Sequence, residues 1–440
     1  MKKVVHFMVV LLAGLLFTAG LFAAGEKEAK VAEGVTIKVI NQERWAPYVE
    51  KAVEKWNAAN PDKKVVLDQL VLGYPQLRQK IATAAAGGMA PDFSLIDSVW
   101  VAEFANAGFL MPLDEIDPTW VENDYNKDFY PVFVEGDSFD GQPYGIHSQT
   151  DMALIWYRKD WFSSEGIKAP ETWEELVRAV QHFQQPQVRR KYGMGEYAFA
   201  FPAGLKAAET VTYQLTPFIW SNGGDVFRNN TVVLNSSTTV AAIKLLSDFV
   251  NMYKAVSPEC IAYEWNTALK LMGTGQVALS VGGSYEGSMI KEAAGWDDAT
   301  FREKVGFVPI PAGPNGEQAT TAGGMAYAIY RQSKNPELAL EILKLTTGPE
   351  LMYEFCASTG QNPPRISVVN KLDQQKDWLL VETSDMLYNA RVRPIIPEYA
   401  KVSEQLQRMV ENAVSGKATP EEAVAEAAKN ISVITGLPLK

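Results

Sequence analysis

Val35-Thr-Ile-Lys-Val-Ile40 opens the part of the chain that decides the fold, because it alternates as a β-strand does. Residues 47–60 then carry apolar side chains at helical spacing and end at Asn60-Pro61. Two further strand patterns follow over residues 65–70 and 93–96, with a helical pattern between them. This alternation of strand and helix predicts right-handed crossovers and a largely parallel sheet.

The length of the chain predicts more than one domain. It has 440 residues, of which 47% are hydrophobic and 21% are charged, as in ordinary globular proteins. At this length we expect two domains of roughly 200 residues. Helix signals continue towards the C-terminus, for example Thr172 and Glu175 at the spacing of a capping box. No low-complexity linker separates two halves, so we expect the chain to cross between the domains several times.

Residues 1–24 have the layout of a secretory signal peptide. Lys2 and Lys3 precede an uncharged, mostly apolar run over residues 4–22, and Ala23-Ala24-Gly25 supplies the small residues that a signal peptidase requires. A retained anchor is the alternative, since about 19 apolar residues just suffice to span a bilayer. No cysteine lies near the cleavage region, which argues against a lipoprotein. We therefore expect a periplasmic or otherwise extracytoplasmic protein.

Charge and residue counts exclude several kinds of chemistry. A net charge of −11 disfavours nucleic acid, whose phosphates need a basic surface. Three histidines leave little for a metal cluster, so neither a metal nor another cofactor is expected. Cys260 and Cys356 cannot form a disulfide framework, and the sequence does not decide whether they pair. Spacing in sequence does not test for the paired carboxylates of a glycosidase, so that class stays open.

Several segments combine aromatic or glycine residues with hydrogen-bonding side chains at predicted strand ends or turns. Ligands of open α/β sheets bind beyond the carboxyl ends of the strands. Aromatic faces stack on the C–H-rich faces of sugars, and planar Asp, Glu, Asn and Arg groups bond two vicinal hydroxyls at once. The combination favours a carbohydrate site. The segments are Glu43-Arg44-Trp45, Asp97-Ser-Val-Trp100, Gln149-Thr-Asp151, Trp220-Ser-Asn-Gly-Gly224, Gly282-Gly-Ser-Tyr285-Glu286 and Gly323-Gly324-Met325.

An ordered set of motifs carries a family resemblance. The motifs include Tyr74-Pro-Gln-Leu-Arg78, Pro91-Asp-Phe-Ser-Leu-Ile-Asp97, Trp100-Val-Ala-Glu-Phe104, Gly141-Gln-Pro-Tyr-Gly145, Trp156-Tyr-Arg-Lys-Asp160, Asn222-Gly-Gly224 and Arg393-Pro394. In this order, and over essentially the whole mature chain, they resemble the carbohydrate-binding extracellular solute-binding proteins of ABC importers. That family includes the maltose- and trehalose-binding proteins.

The resemblance implies the α/β periplasmic-binding-protein fold, in which two lobes with mostly parallel sheets flanked by helices are joined by a hinge. It assigns residues 35–147 and 320–350 to the N-terminal lobe and residues 148–319 and 351–440 to the C-terminal lobe. It implies a monomeric protein, not an enzyme, that closes on a mono- or oligosaccharide and delivers it to a membrane permease. A binding protein for a polyamine or a peptide, and a periplasmic glycoside-processing enzyme, are the alternatives.

The matching motifs also imply roles for individual residues. Asp97 and Asp151 are expected to bind hydroxyls from opposite lobes, and Arg393 adds a polar contact. Tyr285 stands where relatives often have a stacking Trp. Met325 replaces a second expected Trp, which puts a disaccharide specificity in doubt. The complete set of predicted ligand-binding residues is Glu43, Trp45, Arg78, Asp97, Gln149, Asp151, Trp220, Tyr285, Gly324 and Arg393.

Overall fold

The computed structural model describes residues 34–440, without the side chains of Tyr388 and Asn389. The export segment predicted over residues 1–24 lies outside these residues. The strands are β1 (Val35–Asn41), β2 (Val65–Val71), β3 (Phe93–Asp97), β4 (Ser138–Phe139), β5 (Gln142–Pro143), β6 (Gly145–Arg158), β7 (Phe199–Ala200), β8 (Phe227–Arg228), β9 (Thr231–Val232), β10 (Leu279–Gly283), β11 (Val305–Val308), β12 (Thr320–Ile329) and β13 (Ala390–Arg391).

Helices connect and cover these strands. They are α1 (Ala46–Ala59), α2 (Tyr74–Ala86), α3 (Val101–Asn106), α4 (Leu113–Ile116), α5 (Pro118–Trp120), α6 (Asn126–Asp128), α7 (Pro131–Gly136), α8 (Lys159–Ser164), α9 (Trp173–Gln184), α10 (Pro186–Tyr192), α11 (Glu209–Trp220), α12 (Ser237–Asn251), α13 (Thr267–Gly273), α14 (Glu286–Ala294), α15 (Asp298–Lys304), α16 (Pro336–Thr346), α17 (Pro349–Thr359), α18 (Ile366–Val369), α19 (Trp378–Ser384), α20 (Tyr399–Val414) and α21 (Pro420–Thr435).

The predicted strand–helix alternation at the start of the described chain is confirmed. Strands β1, β2 and β3 begin at the predicted residues, and β1 pairs in parallel with both of its neighbours. Helix α9 begins with the predicted capping box, since Thr172 accepts from the Glu175 N–H and the Glu175 side chain accepts from the Thr172 N–H. Local patterns were therefore sufficient to find these elements.

The main sheet has the order β2-β1-β3-β12-β6-β10-β7, and it is mixed. Strand β12 runs antiparallel to β3 and β6, and β6 runs antiparallel to β10 and β11. The prediction of mostly parallel sheets was therefore wrong for the centre. The physical reason is that β6 and β12 connect the two halves of the molecule. Their directions are set by antiparallel pairing with each other and not by a strand–helix–strand crossover.

The buried apolar residues form two large cores. The first core joins residues 37–146 with residues 325–356 and also includes Val368 and Leu380. The second core joins residues 155–310 with residues 402–431. Helix α17 lies in the first core through Leu351, Phe355 and Cys356.

Within residues 34–440, three segments connect the two cores, namely β6, β12 and the chain around Asn362. Strand β6 pairs with β12 over Gly145–Met152 and with β10 from Ala153 onwards, so this one strand joins the two halves of the main sheet. A third segment lies along β6, where the N–H of Thr150 donates to Asn362 O at 2.7 Å and the N–H of Asn362 donates back at 2.8 Å. Movements of one core relative to the other must bend these segments.

Both cysteines are free and buried. Cys260 lies in the second core and Cys356 lies in the first, which answers the question that the sequence left open. Within residues 34–440, no helix combines the length and the apolar character needed to cross a bilayer.

Candidate functional site

Predicted site residues meet where β3 ends and where β6 passes between the cores. Asp97 is the last residue of β3. Gln149 and Asp151 lie on β6, opposite Met325 and Gly323 of β12. The sheet register therefore places the predicted carboxylates near the line between the two cores.

Arg393 joins a carboxylate from each core. Its Nη1 donates to Glu209 Oε1 at 2.7 Å, and its Nη2 lies 3.5 Å from Asp97 Oδ1. The Arg393 side chain is only 3% exposed, so both interactions are shielded from water. This guanidinium is the direct electrostatic connection between Asp97 at the end of β3 and Glu209 at the start of α11.

Hydroxyl groups complete the surroundings of these two carboxylates. Tyr74 Oη donates to Asp97 Oδ2 at 2.8 Å. Tyr399 Oη and Ser403 Oγ, both on α20, donate to the two oxygens of Glu209 at 2.6 Å. Burial raises the pKa of Glu209, and Arg393 and these hydroxyls oppose that shift.

The carboxyl of Asp151 has a raised pKa. Burial raises its pKa to about 6, while Tyr213 and Arg393 favour the charged form. Gly323 leaves room for this group, because a Cβ there would lie 2.5 Å from Asp151 Oδ1 and 2.8 Å from the Tyr213 ring. A carboxyl with such a pKa changes charge near neutral pH and is typical of a functional site.

Two tyrosine rings border the same space. The ring centroids of Tyr213 and Tyr285 are 6.5 Å apart, at 43° to each other. The Arg393 guanidinium lies 5.6 Å from the Tyr213 centroid. The site thus offers apolar ring faces beside charged groups, which is the combination that the sequence predicted.

Several buried polar atoms in this region make no well-formed hydrogen bond within the protein. Buried polar groups without partners are uncommon, and strain, ordered water or a ligand accounts for them. The unpaired atoms in this region include donors as well as acceptors. The atoms are Tyr213 Oη, Gln214 Oε1, Glu286 Oε2 and Arg393 Nε.

Gln149 and Gly324 reach the site mainly through the backbone of the crossing strands. The Gln149 side-chain oxygen accepts from the Met325 N–H at 2.8 Å, next to an irregularity in the β6–β12 register. Gly324 has φ +138°, and a Cβ there would lie 2.4 Å from His147 Nε2. Only glycine satisfies both conditions.

Other predicted residues lie apart from this group. Arg78 forms an ion pair with Glu103 and is 39% exposed, and Glu43 is exposed. Trp45 packs on Phe355 of the first core and donates to Ser148 Oγ at 3.2 Å. Trp220 is covered by the Arg391 guanidinium, 4.5 Å from its ring.

Sequence reasoning missed Glu209, Tyr213, Gln214 and Tyr399. A signal was present, since Glu209 and Tyr213 are four residues apart in a helix that is otherwise uncharged and mostly buried. Residues four apart lie on the same helix face. The long-range pairing of Glu209 with Tyr399, 190 residues away, has no local signature.

The described residues hold no group of three or more His, Cys, Asp or Glu side chains that could bind a metal ion. What the arrangement does offer is carboxylates, a guanidinium, hydroxyls and ring faces. These are groups that bind an uncharged, polar, hydroxylated ligand.

Comparison with known proteins identifies the family of the chain. The profile of the bacterial extracellular solute-binding proteins matches residues 41–353. The chain belongs to this family. This match confirms the family that the sequence predicted.

Three relatives illustrate the similarity. The maltodextrin-binding protein of Bacillus subtilis is 25% identical over 422 residues, 92% of each chain. The arabinooligosaccharide-binding protein of the same bacterium is 27% identical over 79% of this solute-binding protein and 77% of its own length. The solved structure of maltose-bound MalE3 of T. maritima gives a TM-score of 0.76 at 26% identity, over 91% of this chain and 100% of its own. The two-lobed fold that the sequence predicted is therefore confirmed.

Proposed function

We propose that this protein is the extracytoplasmic sugar-binding component of an ABC importer. The observation that carries the proposal is the single group of side chains that both cores build, with Arg393 between Asp97 and Glu209. The names of the relatives support a sugar as the ligand, since they bind maltodextrin, arabinooligosaccharide and maltose. We infer a mono- or oligosaccharide as the ligand class.

We propose lobe boundaries that follow the cores. The sequence assigned residues 35–147 and 320–350 to the first lobe, and residues 148–319 and 351–440 to the second. Leu351, Phe355 and Cys356 pack in the first core, so we move α17 into the first lobe. The hinge then consists of β6, β12 and the segment around Asn362.

The ligand enters by hinge opening in this proposal. As whole residues, Asp97, Asp151 and Arg393 are 6%, 7% and 5% exposed. A sugar therefore reaches them only when the lobes separate. Closure then removes water from the sugar faces and completes hydrogen bonds from both sides. Ligand favours the closed state through contacts that the open state lacks.

The binding chemistry follows from the groups present. Asp151 accepts hydrogen bonds from sugar hydroxyls, and Arg393 donates to sugar oxygens. Tyr213 and Tyr285 lie against the apolar ring faces. Hydroxyls in the wrong positions leave buried groups unpaired, and this cost gives selectivity among sugars.

We further propose the setting of this activity. The protein is exported by a signal segment over residues 1–24, is not a lipoprotein, acts as a monomer and presents both closed lobes to a membrane permease. Its role is binding and delivery, without enzymatic turnover. Incubating the pure protein with oligosaccharides and finding new products would argue for the glycoside-processing alternative.

A polyamine ligand is the nearer alternative, because four carboxyl groups lie in this region. Arg393 already pairs with Asp97 and Glu209, which leaves less negative charge for a bound polycation. Burial also raises the pKa values of Asp151 and Glu286, so their charged forms are disfavoured. The electrostatics therefore favour a neutral ligand.

A thermal-shift panel tests the proposal. It contains glucose, maltose, maltotriose, arabinotriose, spermidine and a short peptide mixture. We expect a shift with at least one sugar and none with spermidine. Calorimetry should then show at least tenfold weaker sugar binding for Asp151→Ala and unchanged binding for Asp298→Ala, an exposed aspartate. Shifts with spermidine alone would contradict the proposal.

A further inference from the structure

Gly282 and Gly283 at the end of β10 make room for two neighbouring side chains. A Cβ on Gly283 would lie 2.2 Å from Tyr285 Cε1 and 3.2 Å from Tyr213 Oη. A Cβ on Gly282 would lie 2.1 Å from Glu286 Oε2. Neither glycine has a positive φ, so space, not backbone conformation, demands glycine here. The pair therefore sets where the Tyr285 ring and the Glu286 carboxyl lie.

Behind the two tyrosine rings lies a buried polar pair. Gln214 Nε2 donates to Glu286 Oε1 at 3.2 Å, and the two residues are 0% and 1% exposed. Each follows a site tyrosine directly in the chain: Gln214 follows Tyr213, and Glu286 follows Tyr285. The pair thus connects the two backbone segments that carry the rings.

The surroundings of Glu286 favour the neutral form of its carboxyl. Burial raises its pKa well above the ordinary value, and the nearby Asp151 charge raises it further, against the Gly283 N–H, Gln214 and Tyr285. A neutral carboxyl both donates and accepts hydrogen bonds. A glutamine side chain has the same shape and also does both.

We propose that Glu286 and Gln214 are positioning residues that hold Tyr285 and Tyr213 in the orientation that faces the sugar. This inference rests on the proposed sugar site and adds residues that do not touch the ligand. Glu286 fixes α14 at its first residue, and Gln214 fixes α11. The glycine pair prevents the Tyr285 ring from being displaced towards the ligand.

The test compares Glu286→Leu with Glu286→Gln. Leucine is of similar size but cannot accept the Gln214 hydrogen bond, so we expect at least tenfold weaker binding of the panel sugar that binds the unaltered protein. Glutamine keeps that bond, and we expect affinity within threefold of the unaltered protein. Gly283→Ala should weaken binding at least tenfold by displacing the Tyr285 ring.

A ligand-free measurement separates this inference from the proposed function. Crystal structures of Glu286→Leu, Gly283→Ala and Glu286→Gln should show the Tyr285 ring moved in the first two and unmoved in the third. If no sugar binds the unaltered protein, the proposed function fails while this structural result still decides the positioning role. Equal affinity losses in the Leu and Gln variants, or an unmoved ring in Gly283→Ala, would overturn the inference. If Glu286→Leu does not fold, the other two variants still decide.

Discussion

The two walls of the site are built in different ways. The first lobe contributes Asp97 at the end of β3 and Tyr74 at the start of α2, both within a regular strand–helix alternation. The second lobe contributes Glu209 and Tyr213 from one face of α11, and Tyr285 from a turn. Strand ends, which local patterns predict, therefore form one wall, while helix faces and long-range pairs form the other.

The walls also differ in electrostatics. Carboxyl groups whose pKa values burial raises lie on the crossing strand or in the second lobe, namely Asp151, Glu209 and Glu286. Arg393 is the cation that faces both walls. This difference predicts that variants at the junction have larger effects than variants on either outer surface.

Removing Arg393 should have the largest effect. Arg393→Ala leaves two buried carboxylates without their cation, which costs roughly 3–5 kcal/mol when one partner of a buried pair is lost. Urea unfolding without ligand measures this loss. The matched control is Arg391→Ala, two residues earlier, whose pair with Asp225 is 46% exposed on the arginine side. We expect less than about 1 kcal/mol there, and equal losses would contradict the bridging role of Arg393.

Asp151 should make stability depend on pH. Its folded-state pKa is about 6 against an ordinary value of 3.8, so the folded state binds the proton more tightly. The contribution of Asp151 to the free energy of unfolding is therefore fully present below about pH 4. It is lost as the pH rises to about 6, which lowers the free energy of unfolding by up to about 3 kcal/mol. Asp151→Asn should abolish this fall. Unfolding free energies at pH 4, 5, 6 and 7 test the prediction, and parallel curves for both proteins would contradict it.

His147 should produce a smaller dependence at higher pH. Nδ1 lies 2.9 Å from Asp137 Oδ2 and Nε2 lies 3.2 Å from Gly323 O, so only the doubly protonated ring bonds both acceptors. Burial lowers the pKa of His147, but Asp137 and the Gly323 carbonyl raise it more. The protonated His147 ring therefore contributes stability at pH values below the ordinary histidine pKa. This contribution, roughly 1–2 kcal/mol of unfolding free energy, is lost as the pH rises through the raised pKa.

Unfolding curves between pH 6 and 9 check this prediction. His147→Gln should remove the dependence, while His182→Gln, at a partly exposed pair with Glu165, should leave it unchanged. A dependence that persists in His147→Gln would refute the assignment.

Arg78 should have the smallest effect. Its guanidinium pairs with Glu103, and both side chains are partly exposed, at 39% and 29%. We expect Arg78→Ala to change sugar affinity less than twofold and stability by less than about 1 kcal/mol. Calorimetry and urea unfolding measure the two quantities. A tenfold affinity loss would instead support the ligand contact that the sequence predicted, and would enlarge the contribution of the first lobe.

Much of the first lobe could be predicted from the sequence, because periodicity and caps act over a few residues. The first residues of β1, β2 and β3 follow from such patterns, and each strand ends one residue beyond its predicted end, which places Asp97 at the end of β3. The second wall could not be predicted in this way. The partners of Glu209 in α20 are 190 and 194 residues away, and such pairings depend on how helices pack.

The mixed sheet was missed for the same reason. Strand β6 runs without a break from Gly145 to Arg158, and no local pattern in it indicates that its first half pairs with β12 and its second half with β10. A parallel arrangement is the simplest interpretation of alternating strands and helices. The strand pairings that join two lobes are set by tertiary contacts, which one sequence does not display.

A crystal structure with the sugar that gives the largest thermal shift tests the central claim most directly. We expect one sugar between the lobes, with hydroxyls within about 3 Å of Asp97 or Arg393 on one side and of Asp151 on the other. We also expect a ring face against Tyr213 or Tyr285. A sugar that contacts only one lobe, or that binds away from these residues, would contradict the account.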